Sequence, residues 1–210
     1  MDIKKRIYFS PLGRLISIAQ NCVAAFQKPF MVYGYRNRVN HKYLKNVRIS
    51  STAVIMNKKG FDVGDNVWIW HDTIIDATHG VKIGEGCQIG ANCGIFTHSS
   101  HMAIRLMGKE FIRSSRDDRV GYITAPTEIG AYTFVSSGTY ILAGVKIGKG
   151  CVIGSNSVIT KDIPDFSVVV GASKIIKSIL PEDEAFFNDP VVREHYFDQD
   201  ILKAHDEASV

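Results

Sequence analysis

The sequence has no apolar run of the length that a membrane-spanning helix requires, which is about 20 residues. The longest apolar segment starts after Lys4, Lys5 and Arg6 and is similar to a signal peptide. Arg14, Gln20 and Asn21 interrupt its apolar stretch. The sequence therefore favours a chain without a spanning helix.

Cysteine is also scarce, with four residues among 210. Cys87 and Cys93 are six residues apart, a spacing that fits no common zinc pattern, and Cys22 stands alone. Low cysteine usage without a disulfide framework favours a reducing compartment. We therefore expect a cytoplasmic protein whose cysteines fill the core and which holds no metal.

The net charge of +4 is small, but the two ends of the chain differ strongly. Residues 1–50 carry ten Lys and Arg against one Asp, hence +9, and residues 181–210 carry nine acids against two bases, hence −7. Nucleic acid is not an expected partner, because no recognised nucleic-acid-binding motif accompanies the basic segment. The acidic segment is expected to form a helix around residues 182–202.

Residues 11–27 are predicted to form a basic amphipathic helix that Pro29 ends. One helical face carries its apolar side chains, which are Leu12, Leu15, Ile16, Ala19, Val23 and Phe26. Two interpretations remain open. The helix attaches the protein peripherally to an anionic membrane surface, at its inner face, or it packs on the side of the main domain.

A six-residue aliphatic period dominates the middle of the chain. It runs without a miss through Ile129, Val135, Ile141, Ile147, Ile153 and Ile159. The same period appears earlier as Val63, Ile69 and Ile75 and, after a two-residue slip near His79 and Gly80, as Ile83, Ile89 and Ile95. Neither an α-helix nor a simple strand has this period, so the chain is built from repeats.

Each repeat also has a small residue four positions after the aliphatic one, such as Thr73, Cys87 or Ser157. Gly commonly follows the aliphatic residue, and Asn or Gly comes two positions later, as in Gly64 and Asn66. These types tolerate positive φ, so each repeat is expected to end in a tight corner. Three flat faces per turn predict a triangular parallel β-helix with about 18 residues per coil.

The units IGEGCQ, IGANCG, IGKGCV and IGSNSV resemble the hexapeptide repeats of the left-handed β-helix acyltransferases. The segment IGSNSVITKDIP, followed by VGASKIIK, is similar to the coil ends of galactoside, maltose and polysaccharide O-acetyltransferases. The resemblance spans roughly residues 60–180. It implies a mainly β fold, a left-handed prism over residues 51–180, between a basic segment 1–50 and an acidic helix or tail 181–210.

The repeat breaks once, with a protruding loop at residues 99–126, and His98 and His101 lie at its mouth. Acyl transfer from a thioester requires a base that takes the acceptor's proton, and imidazole suits this role near neutral pH. In the resembling sugar acetyltransferases a histidine opens the loop, with Arg seven residues later and then Gly. His98, Arg105 and Gly108 keep that spacing. The upstream register differs, which leaves His101 as an alternative base. His79 at the slip either faces the neighbouring cleft or, as we favour, only forms a corner.

The resemblance also implies roles for residues outside the loop. Ser137 would contact the oxyanion or thioester, and Phe134, which stands where relatives have Trp, would contact the acceptor. Residues implied to bind coenzyme A, along the pantetheine arm or at the phosphates, are Ser155, Thr160, Lys174 and Lys177. No permanently bound cofactor is implied, since acetyl-CoA acts as the acyl-donor substrate.

The loop carries five basic residues, among them Arg105 and Arg113. They would either grip an anionic acceptor, such as an acidic sugar or a lipid diphosphate carrier, or lie solvated on the surface. The sequence does not separate these interpretations.

Together these features predict an acetyl-CoA-dependent O-acetyltransferase that acts on a sugar or polysaccharide precursor in capsule, O-antigen or exopolysaccharide synthesis. By resemblance, the enzyme is a homotrimer with active sites between subunits. N-acetylation of a nucleotide-linked amino sugar or an antibiotic uses the same base and is the enzymatic alternative. A non-catalytic β-helix that serves as a binding or assembly module is the alternative from another class.

Overall fold

A computed structural model describes residues 6–7, 9–26 and 28–208, which fall into two compact units, Met1–Phe30 and Met31–Val210. The first unit contains helix α1 (Pro11–Phe26). On this helix the side chains of Leu12, Leu15, Ile16 and Val23 are exposed. Among the described residues, no helix combines the length and the apolarity needed to cross a bilayer.

The second unit is a left-handed β-helix in which the chain passes through three mainly parallel sheets in a fixed order. The pairs β1–β2 and β18–β19 are antiparallel. The first sheet contains β1 (Met31–Arg36), β2 (Tyr43–Ser50), β5 (Trp68–Ile69), β8 (Gln88–Ile89), β13 (Phe134–Val135), β16 (Val152–Ile153), β18 (Ser167–Val170) and β19 (Lys174–Ser178). The second contains β3 (Val54–Met56), β6 (Ile74–Asp76), β9 (Gly94–Ile95), β14 (Tyr140–Ile141) and β17 (Val158–Ile159). The third contains β4 (Phe61–Val63), β7 (Val81–Ile83), β12 (Thr127–Ile129) and β15 (Lys146–Ile147).

The predicted aliphatic ladder forms the core of this prism. On the first sheet Ile69, Ile89, Val135 and Ile153 pair in register, and the other sheets align their own ladder residues in the same way. All of these side chains are buried. Burying each one stabilises the fold by about 1.5–3 kcal/mol. The predicted fold class is therefore confirmed.

Glycine occurs in the corners for two different physical reasons. The second corner residue adopts positive φ, as at Asn66 (φ 56) and Gly138 (φ 76). The first corner glycine does not, and it is needed because the next coil lies too close for a side chain. A Cβ on Gly84 would stand 2.4 Å from the backbone nitrogen of Ala131. Close stacking of coils, rather than left-handed backbone, therefore selects glycine at that position.

Gly130→Ala is expected to destabilise the prism, because its Cβ would meet the backbone nitrogen of Lys149 at 2.4 Å. Overpacking of this kind costs about 1–3 kcal/mol, which lowers the Tm by several degrees in a chain of this size. Gly154→Ala is the matched control, since its nearest neighbour is the side chain of Val170 at 3.1 Å. Equal Tm values for the two variants in thermal unfolding would contradict this account.

Corner length varies along one edge of the prism only. From the first to the second sheet the ladder residues stay six apart, as from Val135 to Ile141. From the second to the third sheet the spacing is eight at Ile55–Val63 and Ile75–Ile83, and it expands into the loop after Ile95. We call the corners between the second and third sheets the variable edge, and those between the first and second sheets the constant edge.

The loop leaves the variable edge after β9 and returns to β12. It contains β10 (His98–Ser99), α2 (Ala103–Met107), α3 (Glu110–Arg113) and β11 (Ile123–Thr124). Strands β10 and β11 pair antiparallel, with His98 opposite Thr124. This hairpin fixes the base of the loop directly against the prism.

The acidic C-terminal segment forms three short helices instead of one. They are α4 (Leu180–Glu184), α5 (Pro190–His195) and α6 (Gln199–Ala208). Asp189 begins α5, because its carboxylate accepts the backbone N–H groups of Val191 and Val192. The segment packs on the prism through Phe197, whose ring stacks on Tyr132 at 4.6 Å between centroids.

Candidate active site

His98 lies at the variable edge and forms a close pair with a buried carboxylate. Its Nδ1 is 2.5 Å from Oδ2 of Asp76, the last residue of β6 in the preceding coil. The Asp76 side chain is 1% exposed and that of His98 is 34% exposed. The contact fixes the imidazole with Nδ1–H donating to the carboxylate, so Nε2 is the nitrogen left to accept a proton.

The Asp76 carboxylate is held from several sides. Oδ1 accepts the backbone N–H and the hydroxyl of Thr78, at 3.1 and 2.5 Å, and the Thr97 hydroxyl lies 3.1 Å from Oδ2. Burial raises the pKa of this carboxyl, but the hydrogen bonds from Thr78, Thr97 and His98 outweigh it and lower the pKa to about 2. Asp76 is therefore a fixed anion at neutral pH.

Two further rings border His98. Tyr122, from the end of the loop, stacks on the imidazole at 5.7 Å between centroids with 20° between planes. His79 meets it in a T-shaped contact at 6.3 Å. Nε2 of His79 is buried without a hydrogen-bond partner among the described residues. His79 therefore forms part of the wall around His98, as the interpretation of a cleft-facing residue expected.

His101, the alternative base, is placed differently. Its side chain is exposed, and Nδ1 lies 2.8 Å from the hydroxyl of Ser99. A serine hydroxyl holds an imidazolium less strongly than a carboxylate does. The geometry thus favours His98 over His101 as the base.

Arg105, Arg113 and Arg116 of the loop are exposed rather than gathered at His98. Arg105 lies on α2, and Arg113 forms an ion pair with Glu110 at 3.7 Å. Arg119 has a different position, since its guanidinium stacks on Phe111 at 4.1 Å and lies 5.7 Å from Tyr122. The acceptor roles of Arg105 and Arg113 stay predictions.

Ser137 and Phe134 do not lie beside His98 within one chain. Ser137 is at the constant edge, where its hydroxyl accepts the backbone N–H of Ala91 at 3.2 Å. Phe134 is on the outer face of the first sheet and is 43% exposed. The second sheet separates both residues from His98.

The residues predicted to bind coenzyme A do not share one edge, and two of them lie on β19 of the first sheet. Ser155 is exposed at the constant edge, one coil beyond Ser137. Thr160 follows β17 at the variable edge, and its backbone N–H donates to the Ser173 hydroxyl at 2.8 Å. Lys174 is exposed in β19, and Lys177 forms an ion pair with Glu182. A phosphate at Lys177 would have to compete with that carboxylate.

The sequence patterns did not indicate Asp76 and Tyr122 as site residues. The available signal for Asp76 was the two-residue slip after Ile75, because the extra residues allow a carboxylate to turn into the corner. Tyr122 gives no such signal, since its contact depends on how the loop returns. Within the described parts of the chain, no three His, Cys, Asp or Glu side chains converge to hold a metal.

The prism is a left-handed parallel β-helix, and His98 with its Asp76 partner lies at its variable edge. Residues 126–161 match the family "bacterial transferase hexapeptide (six repeats)", and residues 80–98 match the "hexapeptide repeat of succinyl-transferase". The predicted resemblance to hexapeptide-repeat acyltransferases is thereby confirmed. Comparison with curated proteins gives no match.

Solved structures show a similar fold. A maltose O-acetyltransferase from Clostridium difficile 630 is 27% identical with a TM-score of 0.53, over 61% of this chain and 64% of that protein. Galactoside acetyltransferase in complex with coenzyme A is 26% identical with a TM-score of 0.52, over 63% of this chain and 62% of that protein. An N-acyltransferase from Bacillus cereus, in complex with dTDP and coenzyme A, is 22% identical with a TM-score of 0.50, over 68% and 88%, and shows the fold alone. This chain spans less than two thirds of the first two relatives.

Proposed function

We propose that this protein is an acetyl-CoA-dependent O-acetyltransferase that acts on a sugar hydroxyl in surface-polysaccharide synthesis. The observation that carries the proposal is the contact of 2.5 Å between His98 and the buried Asp76 carboxylate at the mouth of the loop. The likeness to maltose and galactoside acetyltransferases supports a sugar acceptor, and the coenzyme A bound to the latter supports an acyl-CoA donor.

In the proposed reaction, Nε2 of His98 takes the proton of the acceptor hydroxyl as the oxygen attacks the thioester carbonyl. Asp76 stabilises the imidazolium that forms and holds the ring in the required tautomer. The tetrahedral intermediate then collapses, the C–S bond breaks, and the thiolate of coenzyme A takes the proton from His98. The acetyl group is thus transferred to form an ester without a covalent enzyme intermediate.

Donor binding is assigned to the residues that the resemblance indicated. Ser137 would donate a hydrogen bond to the oxyanion, since its hydroxyl accepts from Ala91 and its own proton is left to donate. Ser155 and Thr160 would line the pantetheine arm, and Lys174 and Lys177 would meet the phosphates. Because the second sheet separates Ser137 from His98, one complete site requires two copies of the chain.

The outer face of the second sheet is the surface that we assign to subunit contact. Its outward row is apolar and exposed, and contains Val54, Ile74, Tyr140 and Val158 in register. The corresponding row of the third sheet is charged, with Asp62, Lys82, Glu128 and Lys146. An apolar row of this kind is typical of a buried interface, whereas alternating charges suit solvent. We therefore propose a homotrimer that packs through the second sheet.

Ile74→Asp is expected to break the trimer, because a carboxylate buried at an apolar interface is strongly unfavourable. Light scattering after gel filtration should show the 23.3 kDa chain mass instead of three times that value. Lys82→Asp, on the third sheet of the same coil, is the control and should leave the mass unchanged. A wild-type protein that is a fully active monomer would contradict the assembly.

We also propose that the N-terminal segment makes a peripheral contact with an anionic membrane at its cytoplasmic face. Helix α1 presents exposed Leu12, Leu15 and Ile16, and the first 50 residues carry a large excess of basic residues. Such a segment would bring the enzyme to an acceptor on a lipid carrier.

Deleting residues 1–27 is expected to abolish sedimentation with phosphatidylserine vesicles while sparing coenzyme A binding. The reason is that the segment supplies basic charge and an apolar stripe but no donor-site residue. Neutral phosphatidylcholine vesicles are the control. If the shortened protein no longer folds in solution, the helix is structural and the membrane role is wrong.

The proposed activity is tested by thiol release from acetyl-CoA with a panel of neutral, acidic and amino sugars. Ester formation with a sugar hydroxyl supports the proposal. Amide formation with an amino sugar as the preferred product would instead assign N-acetylation. If no sugar stimulates thiol release and coenzyme A does not bind, the protein is a non-catalytic β-helix.

A further inference from the structure

A groove of about 280 Å³ lies on the outer face of the first sheet, beside the constant edge. It crosses three successive coils and is lined by Trp70, Gln88, Gly90, Ala91, Phe134 and Ser137. A groove of this volume suits a small ligand such as a single ring. Its position next to Ser137 places it at the proposed donor contact.

The two tryptophans of the chain differ in what covers their rings. The Arg48 guanidinium covers Trp68 at 4.0 Å, so that ring already has a partner. Trp70, two residues later, meets only the edge-on ring of His71 among the aromatic contacts of the described residues, at 5.6 Å, and is 40% exposed. Phe134, two coils further on, is 43% exposed. Trp70 and Phe134 therefore present aromatic surface to the groove.

None of the six lining side chains is charged. The polar groups are the Gln88 amide, which both donates and accepts, and the Ser137 hydroxyl. A ligand with a carboxylate or phosphate would favour Arg or Lys partners. The groove thus fits a neutral ligand with an apolar face and hydroxyl groups.

We infer that this groove binds a neutral pyranose unit of the acceptor, stacked between Trp70 and Phe134 and oriented by the Gln88 amide. The C–H face of a sugar ring packs on aromatic surface while its hydroxyls bond to the amide and to Ser137. The inference rests on the proposed function, and it narrows the acceptor to a neutral sugar at this position. His98 of a neighbouring copy in the proposed trimer would act on that sugar.

Binding is tested first without turnover, by tryptophan fluorescence. The chain has two tryptophans, so Trp68→Phe leaves Trp70 as the sole reporter and Trp70→Phe leaves Trp68. Maltose, methyl β-galactoside and diacetylchitobiose serve as probes. At least one should change the emission of the Trp68→Phe protein in a saturable way, and none should change that of Trp70→Phe. A response to coenzyme A alone, or to none of these sugars, would overturn the inference.

Kinetics with the best of these sugars separates acceptor from donor binding. Trp70→Ala should raise the acceptor KM about tenfold or more and leave the acetyl-CoA KM within about twofold. Trp68→Ala, the matched control, should leave both within about twofold. An increase in the acetyl-CoA KM alone, or turnover only with glucuronic acid, would assign the groove to the donor or exclude a neutral sugar.

The two experiments keep the inference distinct from the proposed function. Saturable sugar binding at Trp70 without thiol release would leave the groove as a sugar site and refute the acetyltransferase. Thiol release that is indifferent to Trp70→Ala would support the acetyltransferase and refute the groove.

Discussion

Replacing His98 with alanine is expected to lower kcat by a factor of about 10² to 10⁴, because a general base contributes that much to rate. In the proposed reaction His98, whose Nδ1 is held by Asp76, acts on the acceptor rather than on the donor. The dissociation constant of coenzyme A should therefore stay nearly unchanged. Steady-state kinetics and calorimetric titration with coenzyme A measure the two quantities.

His101→Ala is the matched control, because His101 lies on the same hairpin loop but bonds to Ser99. The His101→Ala variant should lower kcat about tenfold if His101 only orients the acceptor. A larger loss for His101→Ala than for His98→Ala would make His101 the base. It would also refute the alignment through Arg105 and Gly108.

Asp76→Asn is expected to lower kcat by about 10²-fold or more, because an amide can donate to Nδ1 and so favours the wrong imidazole tautomer. The imidazolium that forms during proton transfer would also lose the neighbouring anion. Half-maximal kcat/KM on the acid side should consequently move to lower pH. Kinetics between pH values of about 5 and 9 measure both effects.

A purely structural role for Asp76 predicts a different result. In that case the variant would unfold at lower temperature and lose coenzyme A binding, without a change in the shape of the pH profile. Asp72→Asn, an exposed aspartate in the preceding corner, is the control and should resemble the wild type. Normal kcat in a folded Asp76→Asn protein would refute the positioning role.

The repeats could be predicted from the sequence because one geometric rule applies to every coil. A ladder aliphatic such as Ile141 packs in register on Ile95 and Ile159, so the period of the sequence is the period of the core. Residues 31–50 do not show that period. Strands β1 and β2 nevertheless join the first sheet, where Ile49 pairs with Ile69. Their hairpin depends on pairing that periodicity does not encode.

The candidate site was only partly predictable for a related reason. His98 was found because it opens the only long break in the repeat. Asp76 lies 22 residues earlier, and its contact with His98 arises only when one coil stacks on the next. Likewise, the separation of Ser137 from His98 follows from the sheet on which each residue falls. A linear motif contains no information about that separation.

The variable edge has a consequence for how such a protein can change over evolutionary time. The corners of the constant edge keep a spacing of six residues in coil after coil and contain no insertion in the described coils. The variable edge already holds a corner of eight residues at Ile75–Ile83 and a loop after Ile95, and the ladder resumes in register at Ile129. New acceptor loops can therefore be grafted or lengthened at this edge without redesigning the core. The core of the prism can thus stay constant while the loops at this edge differ.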